Sequence, residues 1–140
     1  MSRSGYSTED DDQRATILWR GAVKQAIRGK RGQAFLREML AALDALPEQK
    51  LIAGDLECDG AVCAIGAVGK ARGLAMAELD PEDRESVAAA FGISFALACE
   101  IFFENDEGSW STVPVWSTEA PEARYRRVRE WVKSNILEAI

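Results

Sequence analysis

Residues 13–46 read QRATILWRGAVKQAIRGKRGQAFLREMLAALDAL, and this stretch sets the fold class. Ile17, Leu18, Val23 and Ile27, with Trp19 and Ala22 beside them, recur at spacings of three to five, which describes one apolar face of a helix from Gln13 to Arg28. Gly29 and Gly32, around Lys30 and Arg31, interrupt it. A second helix, Gln33 to Leu46, puts Phe35, Leu36, Met39, Leu40, Leu43 and Leu46 on one stripe, and Pro47 stops it. A short cationic turn between two amphipathic helices predicts an antiparallel helical hairpin.

Further along, Leu51, Ile52 and Leu56–Cys58 read as extended, and Asp59-Gly60 is a strong tight-turn signal. The run AVCAIGAVGKAR, residues 61–72, is read as a helix whose Gly66 and Gly69 admit a neighbouring backbone, with a buried strand as the competing reading. Asp80, Pro81, Glu82 and Asp83 supply a cap, a first-position proline and first-turn acids, predicting a helix from Pro81 to Phe91. Gly92 ends that helix, and Ser94 caps the next, which should bury Phe95, Leu97, Ala98, Ile101 and Phe102. The last helix, Pro121 to Ile140, capped by Ser117 or Thr118, turns Tyr125, Val128, Trp131, Val132 and Ile136 inward and Arg124, Arg126, Arg127 and Arg129 mostly outward. The expectation is an all-α fold of about five helices in one compact domain, residues 13–140, with a short β-hairpin near residues 51–62 and a flexible acidic tail over residues 1–12.

The 140-residue chain is of single-domain size, and it contains no histidine. That excludes a Ser-His-Asp or Cys-His nucleophile pair, a histidine-bound metal and an imidazole pH switch. We therefore expect no enzyme, no cofactor and no metal. No run approaches the roughly 18 apolar residues of a membrane span, so a cytoplasmic location without membrane contact is expected. Cys58, Cys63 and Cys99 are read as small core residues in a reducing compartment.

The net charge of −6 hides an asymmetry. From Gln13 to Arg37 there are seven cations and no anion, whereas from Glu78 to Glu107 there are nine anions and one cation, Arg84. Opposite blocks can neutralise each other within one molecule, across a homodimer or against another partner. The acids Glu82, Asp83, Glu85, Glu100, Glu104, Asp106 and Glu107 are candidate partner contacts, joined by the loop tryptophans Trp110 and Trp116, a residue type enriched at interface hot spots. Arg28, Lys30 and Arg31 form a basic turn suited to an anion or RNA.

Three motif-like stretches fall short of their chemistry. Residues 85–101 have helix-turn-helix grammar, but the second helix offers phenylalanines and glutamates where base-reading side chains are needed. Gly66 to Ala71 lacks both the first glycine and the Ser or Thr of a phosphate loop. Glu104 to Glu107 lacks the alternating ligands of a calcium loop.

The run Trp19 to Val23, the string Ala26 to Leu40, Val62 to Gly69, Phe91 to Ser94, Asn105-Asp106 and the arginine-rich last helix together resemble a family of small bacteriophage- and prophage-encoded proteins. No catalytic role is established for that family, so the resemblance implies a setting, a phage accessory protein in a bacterial host cytoplasm, and no functional residues. The resulting expectation is a non-enzymatic protein that binds a host protein with an acidic face. One form of this would be an anti-defence, anti-CRISPR-like inhibitor covering a cationic nucleic-acid channel. The alternative is a small nucleic-acid-associated regulator using the basic segment 14–37.

Overall fold

A computed structural model describes residues 3–4, 13–108 and 119–137. Six α-helices and one two-stranded hairpin make up the regular structure of those residues, so the fold is all-α. The helices are α1 (Gln13–Arg28), α2 (Lys30–Asp44), α3 (Ala64–Arg72), α4 (Arg84–Phe91), α5 (Phe95–Glu107) and α6 (Pro121–Asn135). Strands β1 (Glu57–Cys58) and β2 (Ala61–Val62) pair antiparallel, and a 3-10 turn covers Met76–Glu78.

The local signals act largely as their chemistry dictates. Asp59 and Gly60 both take positive φ, 51° and 86°, the conformation of a two-residue hairpin turn. Residues 64–72 are helical; Cys63 caps them, its sulfur accepting from the Gly66 N–H. Within α3 a side chain on Gly66 would run into the Leu56 carbonyl and one on Gly69 into Met76, so both glycines serve close packing. Ser94 caps α5, and Gly92 ends α4 at φ 71°.

Several boundaries and faces differ from the sequence reading. Helix α2 starts at Lys30 instead of Gln33, because Gly32 lies inside its first turn against the carbonyl of Ala26. The joint between α1 and α2 is the single residue Gly29. Helix α4 starts at Arg84 instead of Pro81: Asp83 is the cap, and Asp80 to Asp83 form a turn closed by the Asp83 N–H on the Asp80 carbonyl. Ile17 and Leu18 are 71% and 67% exposed, since α1 buries the stripe set by Val23 and Ile27, flanked by half-buried Trp19 and Ala26. Phe95, expected inside, is partly exposed at the first position of α5. Ser117 and Thr118 lie outside the described residues, and Ala120 holds the cap position of α6 without a side-chain bond.

Helix α2 lies against α3 and α6, while α5 runs across the middle, touching α1, α3, α4 and α6. The core gathers Leu36, Met39 and Leu43 of α2, Ile65 and Val68 of α3, Leu97, Ile101 and Phe102 of α5, and Val128 and Val132 of α6. Full burial of such side chains contributes about 1.5–3 kcal/mol each. Phe35 meets Phe91 edge to face at 6.4 Å, joining α2 to α4. Cys63 and Cys99 are in this core, but Cys58 is exposed on β1. No single helix among the described residues is long and apolar enough to cross a membrane.

Of the acidic tail, residues 1–12, only Arg3 and Ser4 are described, and both are buried, against Asp106 and Glu107 at the end of α5.

Candidate functional site

The fold divides the acidic block in two. Glu100, 3% exposed, receives both terminal nitrogens of Arg20 at 2.8 and 3.0 Å. Asp106 accepts from Arg3 Nε and Nη2 at 2.5 and 2.8 Å, and Glu107 from the Ser4 hydroxyl at 2.6 Å. Glu104 is half-buried near Arg127; burial, then the Glu100 charge, push its carboxyl above the usual range. These four sequence candidates are therefore engaged inside the molecule. They do not form an open face.

The other half remains on the surface. Glu78, Asp80, Glu82, Asp83 and Glu85 are all exposed and make no ion pair among the described residues. Asp80 accepts from the Glu82 N–H, and Asp83 from the Ser86 N–H and hydroxyl, which hold the Asp83 carboxyl below its ordinary range. Beside this edge the Arg84 guanidinium lies 5.5 Å from the centre of the Phe95 ring, and Phe95 meets Trp19 at 6.0 Å. Arg84, the chain neighbour of Asp83 and Glu85, thus reaches the partly exposed Phe95 of the Trp19–Phe95 pair. Trp110 and Trp116 fall outside the described residues.

The cations of the first two helices divide similarly. Arg20 is spent on Glu100, and Arg37 donates to the Leu137 carbonyl at 2.6 Å. Lys24, Arg28, Lys30 and Arg31 are exposed and enter no ion pair among the described residues. Beside Lys30 and Arg31 a cleft of about 240 Å³ opens between the α1–α2 joint and the α4–α5 corner.

That corner bends by 107°, within the range of a helix-turn-helix. Helix α5 nevertheless buries Leu97, Ala98, Cys99, Glu100, Ile101 and Phe102 in succession. With six consecutive positions buried, and Phe95 as its exposed first residue, this helix belongs to the core and offers no base-reading side chain to a DNA groove.

One polar cluster escaped the sequence reading. At the C-terminal end of α5, Asn105 is fully buried; its side chain accepts from the Ala64 N–H at 3.0 Å and donates to the Ile52 carbonyl at 2.9 Å. Arg127, expected outward, donates to the carbonyls of Glu104 and Asn105 and to the Glu119 carboxylate, closing the open end of α5. Arg124, also expected outward, is 7% exposed and donates to the Leu51 carbonyl; burial lowers its pKa against the pull of Glu119. Burial works against the Arg3 charge too, but the Cys63 sulfur and Asp106 outweigh it and its pKa is raised. The bonds run to backbone and to opposite charge, which describes a clasp joining α5, α6 and the 51–64 segment. Glu104, Asp106 and Glu107 point to different partners, and among the described residues no three Cys, Asp or Glu converge as metal ligands would.

Neither a protein-family model, nor a curated protein, nor a solved structure matches this chain.

Proposed function

We propose that this is a non-enzymatic accessory protein that binds a cationic surface of a host protein through the edge formed by Glu78, Glu82 and Glu85 beside Phe95. The observation that carries the reading is that these acids stay exposed without ion pairs among the described residues, while the acids of α5 are satisfied internally. Carboxylates in a row offer a charge density comparable to that of nucleic-acid phosphates, and Phe95 with Trp19 supplies the aromatic anchor that stable protein interfaces use. The resemblance of the sequence to phage and prophage proteins would imply a partner in a bacterial cytoplasm, where an anti-defence role against a nucleic-acid-guided effector suits such an edge.

The test is affinity capture from bacterial lysate at low salt with the parent and with E78K/E82K/E85K. A host protein held by the parent, released by salt and lost in the variant supports the reading. Identical capture by both chains, or none by either, overturns it.

The second reading, a nucleic-acid-associated regulator, draws support from Lys24, Arg28, Lys30 and Arg31, which are exposed and make no ion pair among the described residues. A gel shift at about 50 mM salt, where phosphate contacts are strong, decides it. No retardation of DNA or RNA removes this reading.

A further inference from the structure

Lys30 and Arg31 occupy the first turn of α2, and no acid accompanies them there. A helix N-terminus carries partial positive charge, so cations in this turn oppose the helix dipole. Neither residue gains an ion pair in return among the described residues, and neither packs in the core. They also follow directly on the C-terminal end of α1, whose dipole favours cations, so the two helix dipoles pull in opposite directions at this point.

Lys30 and Arg31 both line the cleft. Ala26, Ile93 and Leu97 give it an apolar floor, and Gln25, Lys30, Arg31 and Ser94 are its polar lining. Among the described residues no carboxylate lines it. Gly29 and Gly32 leave its wall free of side chains, and Gly32 can be nothing larger because the Ala26 carbonyl lies against it. The Ser94 oxygen accepts from the Leu97 N–H at 3.1 Å, which leaves its O–H to donate outward. At about 240 Å³ the space is below the roughly 300–1,000 Å³ of sites for drug-sized ligands, so the occupant is a small molecule.

We propose that this cleft binds a small organic anion, its phosphate or carboxylate head held by Lys30, Arg31 and the Ser94 hydroxyl and a short apolar body set on Ala26, Ile93 and Leu97. The proposal uses none of the acids of the edge at Glu78, Glu82 and Glu85; the two surfaces adjoin where Ser94 is followed by Phe95.

Titration of the full chain with hexyl phosphate and hexanoate, followed by amide NMR, tests it. Saturable shifts centred on Gly29, Gly32 and Ser94 are expected, with inorganic phosphate and hexanol at least about tenfold weaker because each supplies half of the contact. Whichever of the two anions binds more tightly identifies the head group. The variant K30E/R31E should lose the binding by about tenfold or more while keeping the parent's fold, since both side chains are exposed and outside the core. A26L, which fills the floor, should weaken binding while both cations remain. Shifts centred elsewhere, no saturation by about 10 mM, affinity retained in K30E/R31E, or shifts at these amides produced by an RNA oligonucleotide alone would each overturn the proposal.

Discussion

Arg20 of α1 grips both oxygens of Glu100 on α5, at 2.8 and 3.0 Å, so the positive and negative segments of the chain are joined at one point inside the fold. The two partners are unequal: the arginine side chain is half exposed, and the glutamate side chain is 4% exposed. Removing the guanidinium from a buried carboxylate costs more than the pair contributes. R20A should lose about 1–3 kcal/mol in urea unfolding, discounted for the exposure of Arg20. The apolar replacement R20M/E100M should recover most of that loss. Unchanged stability in R20A would contradict this account.

Asn105 makes the second test. Its amide bonds Ala64, Ile52 and the Asp106 carboxylate, tying the end of α5 to the start of α3. N105A strands buried backbone groups and should cost about 2–4 kcal/mol by denaturant titration. N105D, which turns a carboxylate oxygen toward the Ile52 carbonyl, should be at least as damaging.

Two glycines should respond in opposite directions. Gly66 faces the Leu56 carbonyl, whereas a side chain on Gly21 meets nothing within 4 Å. G66A should destabilise by about 1–3 kcal/mol through overpacking. G21A should raise stability by about 0.5–1 kcal/mol through helix propensity. Equal effects in a thermal melt would refute the packing account of Gly66.

Acid should erase the contribution of Glu38. Hydrogen bonds from Arg72, at 2.6 and 2.7 Å, hold this carboxyl below its ordinary range. A lowered folded pKa gives stability that is present above the unfolded value, near 4.3, and lost as pH falls through the folded one. Because the pair is exposed, E38Q should cost at most about 1 kcal/mol at pH 7 and nothing at about pH 2. A gap that persists in acid would exclude this linkage.

Thiol chemistry reports on the core directly. Cys58 is exposed, Cys63 is buried, and burial pushes the Cys99 thiol up to about 11. Iodoacetamide at about pH 8 should alkylate Cys58 alone in the folded protein, and all three cysteines after unfolding in guanidinium. Mass spectrometry of the labelled peptides gives the order of modification.

The helices were legible because their signals are local. The apolar stripe of α2, the Asp59-Gly60 turn, Gly92 and the Ser94 cap each act within a few residues. Helix α1 misled because it carries apolar residues around much of its circumference, so periodicity alone did not choose between Ile17-Leu18 and Val23-Ile27. The first turn of α4 misled because Asp80 and Asp83 are both competent caps. The charge blocks were legible as composition but their pairing was not. Arg20 and Glu100 lie 80 residues apart, and Arg3 and Asp106 lie 103 apart. No spacing rule connects such positions. Arg124 and Arg127 resemble a solvated helix face in sequence, and only the arrival of α5 and Glu119 beside them makes them a clasp. The cleft at Lys30 and Arg31 needed the α4–α5 corner to be placed opposite the basic turn, which the chain order does not reveal.

Gln33 in the first turn of α2 donates to the carbonyls of Ile27 and Asn135 and accepts from the N–H of Leu137. On the ribosome, the hairpin of α1 and α2 emerges about a hundred residues before its last hydrogen-bonding partners exist. Helix α6 also supplies Val128 and Val132 to the core beside α2. Vectorial synthesis therefore leaves the first hairpin waiting with an uncovered flank, and the final fold is sealed only after residue 137 has left the exit tunnel.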